Sequence, residues 1–354
     1  MDLLLSDEQS MLRESAATFA ERRGGAGRLR AVRGSDEKID RALWREAADA
    51  GWLAVLAPES AGGLGLGLTE MCLVSQELGR GLVPEPVAAA AAVARAVGDD
   101  ELAADIAAGG MIVLPALAEG PRAIGDEPPA TTAHGGTLDG AKTGVPCPAD
   151  ADAFLVSAAA DGGVVLAVTE TAETETAPTM DGTSAATLRF SGAAARIVAG
   201  PNEAPQAIAG LLDALHLTTA AELLGVMEAA QAITVDYLKV RNQFDRPIGS
   251  FQALQHRAVD NLAMIEMSRS LTYQAASALD AGGGAPGLAS AALSKAARSA
   301  LEVCKAAIQM HGGIGFTDEH DIGLHLKRAM TLAARYGNAG MHRRRYAESA
   351  GTHV

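Results

Sequence analysis

Arg241-Asn242-Gln243-Phe244-Asp245-Arg246-Pro247-Ile248-Gly249 sets two guanidinium groups beside an aromatic ring, where proline and glycine force a long helical pattern to turn. Arginine holds a phosphate in a bidentate manner, and a ring beside it can pack on a planar ligand. The same residues suit a plain helix C-terminus, where cations complement the dipole. A second cluster, Gln309-Met310-His311-Gly312-Gly313-Ile314-Gly315-Phe316, closes another helical run. Its paired glycines stop the helix and let backbone come close to a ligand, while Gln309 offers both donor and acceptor. His311 reads as a ligand, a base or a helix-end cap. Neither cluster brings a Ser-His-Asp set or metal-ligand spacing, so no metal site is expected.

Outward from these clusters the period of the apolar residues divides the chain. Ser6-Asp7-Glu8-Gln9 has capping-box spacing and is followed by Leu12, Ala16 and Phe19 on one helical face. A helix is expected from Asp40, through Leu43, Trp44 and Ala47, to Gly51, and another capped by Thr69 and ending near Gly79. After Pro84 and Pro86 an alanine-rich helical run continues to about Ala108. The runs 111–117, 152–158, 164–168 and 186–190 are short and apolar or alternating, separated by Gly, Pro, Thr and Asp, as antiparallel strands require. The helical period then returns. Pro247 and Gly249 break the first long helix, Ser250 caps the next, and Gly282-Gly283-Gly284 with Pro286 separates a third. The fold class is α+β, mainly α: a helical domain over 1–108, a β-domain over 109–204 and a helical domain over 205–354.

Composition sets the limits. With 354 residues and 48% hydrophobic content the chain can bury a sizeable core, and its few aromatics and many alanines favour close helix packing. The formal charge of −14 argues against nucleic acid or an anionic membrane as the main partner. Cys72, Cys147 and Cys304 lie far apart, which indicates neither a disulfide framework nor a zinc site. No uninterrupted apolar run suggests a membrane span, and the acidic start after Met1-Asp2-Leu3 does not fit a secretory signal, so a cytoplasmic location is expected. Gly62-Gly63-Leu64-Gly65-Leu66-Gly67 has no strand before it and no βαβ unit around it; it reads as a loop needing positive φ rather than a dinucleotide fingerprint.

Taken together, "LWREAADAGWLAVLAPESAGGLGLG", "ELGRGLVPEP", "RNQFDRPIGSFQALQH" and "IQMHGGIGFTDEH" resemble, in order and over nearly the whole chain, the acyl-CoA dehydrogenase family. The resemblance implies two helical domains around a β-domain, with a C-terminal four-helix bundle. It implies α,β-dehydrogenation of an acyl-CoA thioester: a carboxylate takes the α-proton and FAD accepts the β-hydride. It also implies a FAD shared across a subunit interface, and electron-transfer flavoprotein as a partner. By resemblance Arg241 and Gln252 contact the FAD diphosphate, Phe244 packs nearby, and Gln309, Gly312 and Gly313 line the adenosine end, all toward the flavin of a neighbouring subunit.

The departures bear on catalysis. Family members with a C-terminal base carry Tyr-Glu-Gly where this chain has Tyr336-Gly337-Asn338, so the glutamate position falls on Gly337; related short members often have Phe-Gly-Asp there. Other members place the glutamate on the first long C-terminal helix, at the position of Leu215. Neither residue can accept a proton. Glu222, two helical turns beyond Leu215, is the candidate for a relocated base, with a solvated or salt-bridged glutamate as the alternative. In the β-domain the family's Trp-x-Thr falls on Gly144-Val145-Pro146, and its Thr-Glu…Gly-Ser segment on Leu117-Ala118-Glu119-Gly120. The expectation is one subunit of an α₂β₂ enzyme whose related partner supplies the base, as in actinobacterial enzymes acting on steroid side chains. A self-sufficient homomeric dehydrogenase and a non-enzymatic scaffold are the alternatives.

Overall fold

The computed structural model describes residues 4–120, 124–125, 128–283 and 287–351. The Met1-Asp2-Leu3 start, and Gly284 and Pro286 of the expected break, lie outside the described residues. Helices α1 (Asp7–Arg23), α2 (Ala26–Arg33), α3 (Arg41–Asp49), α4 (Leu68–Arg80), α5 (Val87–Ala96) and α6 (Asp100–Ala107) precede the strands. Contacts divide the chain into two compact units: Ala31–Met71 with Pro84–Leu215, and Met1–Arg30 with Cys72–Val83 and His216–Val354.

In the first of these, α3 starts at Asp40 as expected; the Asp40 carboxylate caps it by accepting from the Ala42 and Leu43 amides at 2.8 and 3.3 Å, and Leu43, Trp44 and Ala47 are buried. The alanine-rich run does not continue unbroken to Ala108. Asp99 divides it, because its carboxylate accepts from the Leu102 amide at 2.9 Å and starts α6. Strands β1 (Val113–Ala116), β2 (Thr132–His134), β3 (Thr137–Pro146), β4 (Ala153–Ala160), β5 (Gly163–Thr169), β6 (Glu173–Pro178), β7 (Ser184–Ala194) and β8 (Arg196–Ala199) form one sheet in the order β6-β7-β3-β2-β4-β5-β8, with β1 on β4. The purely antiparallel expectation is corrected here. β1 runs parallel to β4, Val113 opposite Ala153, because the chain leaves through β2 and β3 before returning, the long connection a parallel pair needs.

The other unit holds α1 and the helices of the C-terminal half. Ser6 and Gln9 form the capping box at the start of α1. Thr69 does not cap α4. It lies inside the helix, and the Glu70 carboxylate instead accepts from the Gly67 amide at 2.9 Å. The long helix α7 (Ala204–Val240) is apolar enough by composition to cross a membrane, yet most of its apolar window is buried inside the protein, as in a core helix. Gly79 and Gly225 let α4 cross α7 backbone to backbone: a Cβ on Gly79 would strike the Glu222 carbonyl, and one on Gly225 the Gln76 carbonyl. A short hairpin of β9 (Asn242–Gln243) and β10 (Arg246–Pro247) leads to α8 (Gln252–Asp280). Ser250 does not cap α8; Phe251 sits at the N-cap, without a side-chain bond. Helix α9 (Leu288–His311) buries Ala289, Ala292, Ala296, Ala300, Val303 and Ala307 along one stripe, and α8, α10 (Ile322–Ala334) and α11 (Ala339–Ser349) pack on it.

Candidate functional site at the end of the helical bundle

Helix α7 stops at Val240, seven residues before Pro247. The expected break at Pro247 is corrected, because the chain leaves the helix through the hairpin over 242–247, in which Pro247 pairs with Asn242. The Arg241 amide donates to the Tyr237 carbonyl at 2.9 Å, and the Ile248 amide donates to the Arg241 carbonyl at 2.8 Å, closing the hairpin. Gln243 pairs with Arg246 across a two-residue turn whose central residues, Phe244 and Asp245, have φ of 54° and 63°. Two positive φ values match the twist of a tight hairpin but are costly for a phenylalanine. The Phe244 ring is nevertheless 85% exposed. It meets Phe251 edge to face at 6.1 Å, and the Arg246 guanidinium stacks 4.1 Å from the Phe251 ring centre. Arg246 is thus held within the turn. Arg241 and Gln252 are exposed, and Arg241 makes no ion pair among the described residues.

The second cluster lies at the end of α9. Gln309 is exposed, the Gly312 amide donates to the Gln309 carbonyl, and Gly312 has φ of 68°. Nothing stands within 4 Å of a Cβ built on Gly312 or Gly313, so backbone faces open space there. Beyond them Phe316 is 81% exposed. The structure brings both clusters together. Tyr237, one turn before Arg241, stacks on His311 with ring centres 4.5 Å apart, and its hydroxyl donates to the His311 carbonyl at 3.3 Å. His311 is therefore neither an exposed ligand nor a simple cap.

The two family base positions are closed. Leu215 is buried in α7. Gly337 has φ of 116°, and a Cβ there would lie 3.2 Å from Nε2 of His342. Asn338, where short relatives often have aspartate, caps α11 by accepting from the Gly340 and Met341 amides at 2.9 and 3.0 Å; asparagine does this as well as aspartate. His342 meets His216 edge to face at 4.7 Å, and its Nδ1 lies 3.2 Å from the Ser290 hydroxyl. Burial, followed by the charge of Arg345, pushes His342 down to about 4, and burial drives His216 well below the imidazole range. Both are neutral at ordinary pH. Glu222 is committed to an ion pair: Nε of the wholly buried Arg328 lies 3.0 Å from it, Arg328 Nη2 bonds to it, and Arg335 stands at 3.9 Å.

The two β-domain segments named from the resemblance differ: Glu119 is closed in a buried network, whereas Gly144 is open. The Lys142 ammonium, wholly buried, reaches Glu119 at 2.5 Å and the Ser157 hydroxyl at 3.1 Å. Glu119 also accepts from the Ala130 and Thr131 amides at 2.6 and 3.0 Å. Burial alone would raise its carboxyl; Lys142, the Thr131 hydroxyl and these two amides outweigh that and hold it at about 2. Gly144 lies in a bulge of β3 with φ of 68° and open space on its outer face. Among the described residues no group of three or more His, Cys, Asp or Glu is placed to hold a metal ion.

Sequence reasoning passed over Tyr237, His320, His216 and His342. Tyr237 had a usable signal: four residues before Arg241, it occupies the same helix face.

Comparison with known proteins identifies the family and the fold. Residues 6–104 match "Acyl-CoA dehydrogenase, N-terminal domain" and residues 206–351 match "Acyl-CoA dehydrogenase, C-terminal domain". Acyl-CoA dehydrogenase IpdE2 of Mycobacterium tuberculosis is 33% identical over 331 residues, 91% of each chain. Among solved structures, the Tcur3481-Tcur3483 steroid ACAD G363A variant superposes with a TM-score of 0.89 at 31% identity, over 98% of each chain. The ChsE4-ChsE5 complex from Mycobacterium tuberculosis gives 0.89 at 28% identity, over 100% of each chain. The chain belongs to the acyl-CoA dehydrogenase family.

Proposed function

We propose that this chain is one of two related subunits of a FAD-dependent acyl-CoA dehydrogenase. It lends a dinucleotide-gripping edge to a site whose base and flavin-ring pocket come from the other subunit. The observation that carries this reading is Gly337: its backbone takes a conformation unsuited to glutamate, and His342 fills the space behind it. Leu215 offers no carboxylate, and Glu222 neutralises Arg328.

The residues fit half of a FAD site. Arg241 is free to grip a diphosphate with its planar fork, and Gln252 stands in the first turn of α8, where amides and dipole favour an anion. Gly312 and Gly313 let an adenosine approach the backbone, beside Gln309. Phe244, held out on its turn, packs against whatever the edge meets. The β-domain does not supply the other half, since Gly144 offers no ring to support an isoalloxazine. FAD, when bound, supplies the hydride acceptor for the β-carbon. This chain's part is to orient and desolvate the diphosphate end, while the partner's carboxylate takes the α-proton.

Both solved relatives described above carry two-protein names, and one of those names says "steroid". This supports a heteromeric assembly and a bulky acyl-CoA, such as a steroid thioester, as substrate. Co-expression with a related chain that retains the glutamate tests the reading. The chain purified alone is expected to be nearly colourless and the co-purified complex yellow. About one FAD per chain in the protein purified alone overturns it.

A further inference from the structure

His311 was singled out in the sequence and has no place in the proposed site, yet it is one of the most enclosed polar residues of the bundle end, only 3% exposed. Its ring lies between two others. Tyr237 stacks on it at 4.5 Å with 27° between planes, and His320 leans on it at 4.4 Å and 56°. The three rings come from three elements: the last turn of α7, the last residue of α9 and the loop before α10. Hydrogen bonds fix both imidazoles. His311 Nδ1 lies 2.7 Å from the Ala307 carbonyl and so carries the proton; His320 Nδ1 accepts from the Ile322 amide at 3.1 Å, so its proton is on Nε2. The loop that presents His320 is pinned in turn by Arg30, which bonds the Asp321 carboxylate at 2.7 Å and the Asp318 carbonyl at 2.9 Å.

Nε2 of His311 is buried and without a hydrogen-bond partner. A buried acceptor left unpaired is a cost, and what His311 offers both of its neighbours is its ring. The Tyr237 backbone is tied to that of Arg241 by the helical bond from the Arg241 amide to the Tyr237 carbonyl, and the His311 backbone leads directly into Gly312. We propose that the Tyr237–His311–His320 stack registers the Arg241 hairpin against the Gln309–Gly313 turn, which makes His311 a positioning residue of the dinucleotide-gripping edge. The inference rests on the proposed function, because it assigns the stack to that same edge.

The test compares two apolar substitutions, both of which remove the Nδ1 bond to the Ala307 carbonyl. His311→Leu removes the stackable ring, whereas His311→Phe keeps it. In the complex with the related subunit, FAD release is followed by the recovery of flavin fluorescence after dilution. His311→Leu is expected to release FAD at least tenfold faster than wild type and His311→Phe within about twofold, with the same melting temperature for both flavin-free complexes. Equal release by the two variants, fast or slow, overturns the inference. A wild-type complex that holds no FAD overturns the proposed function instead. The stack is then read in the chain alone, from exchange of the Thr317 amide, which donates to the Ile314 carbonyl at 3.1 Å: faster exchange in His311→Leu than in His311→Phe supports the registering role, and equal exchange refutes it.

Discussion

The bundle end and the β-domain segment around Glu119 handle polar groups in opposite ways. At the bundle end Arg241, Gln252 and Gln309 stand exposed, and a phenylalanine is held outward on a costly turn. In the β-domain Lys142 and Glu119 are closed on each other and on neighbouring amides and hydroxyls. The base positions behave like the β-domain: Gly337 is backed by His342, and Glu222 by Arg328. An exposed, strained and unpaired edge is what a surface completed by another molecule looks like. A buried network with its partners in place serves the fold of its own chain.

Substitutions on the two sides can break that contrast, and the largest effect is expected at Glu222. Arg328 is 1% exposed, so Glu222→Ala leaves a buried charge short of its main partner and should cost about 3–5 kcal/mol in chemical denaturation. Glu222→Gln should leave the turnover of the folded complex nearly intact; abolished turnover would restore Glu222 as the base.

Arg241 tests the open side. Arg241→Ala should leave folding stability within about 0.5 kcal/mol, as for an ordinary surface residue. It should weaken FAD binding by the complex by roughly 1.5–3 kcal/mol, about tenfold or more, and Arg241→Lys should recover only part of this. Unchanged FAD affinity in both variants leaves the helix-end role alone.

Gly337→Glu restores the family's carboxylate on paper. Forcing a side chain into φ of 116° against His342 should cost about 1–3 kcal/mol of stability and give the isolated chain no dehydrogenase activity. An active, stable variant would show that the position is merely vacant rather than closed.

The smallest effect is in acid. Glu119 is held at about 2, below the ordinary carboxylate value, so its contribution is complete above about pH 4.5 and is lost as pH falls toward 2. Between those limits the melting temperature of Glu119→Gln should fall less steeply than that of wild type. Parallel slopes would remove Glu119 from the network.

The alternation of helical and strand periods, the helix start at Asp40 and the Ser6 capping box were legible in the sequence because they depend on neighbouring residues. The parallel pairing of β1 with β4 was not, since register between distant strands leaves no local pattern. The division at Asp99 was hidden by a run of alanines that favours helix on both sides of it. At the site, the two motifs could be named from sequence, but not the rings that join them: Tyr237 and His320 lie 83 positions apart, and only the packing of α7 against the end of α9 makes them neighbours of His311. The closure of Gly337 was equally invisible, because a glycine in sequence does not disclose the sign of its φ.

The central claim is that the proton acceptor belongs to the partner. Anaerobic bleaching of the flavin by a panel of short, long and steroid-type acyl-CoA thioesters measures it directly, in the complex and in the chain alone supplied with FAD. The complex should bleach with at least one thioester, lose this when the partner's glutamate is changed to glutamine, and keep it in Glu222→Gln, while the chain alone stays oxidised. Rapid bleaching by the chain alone, abolished by Glu222→Gln, would contradict the account.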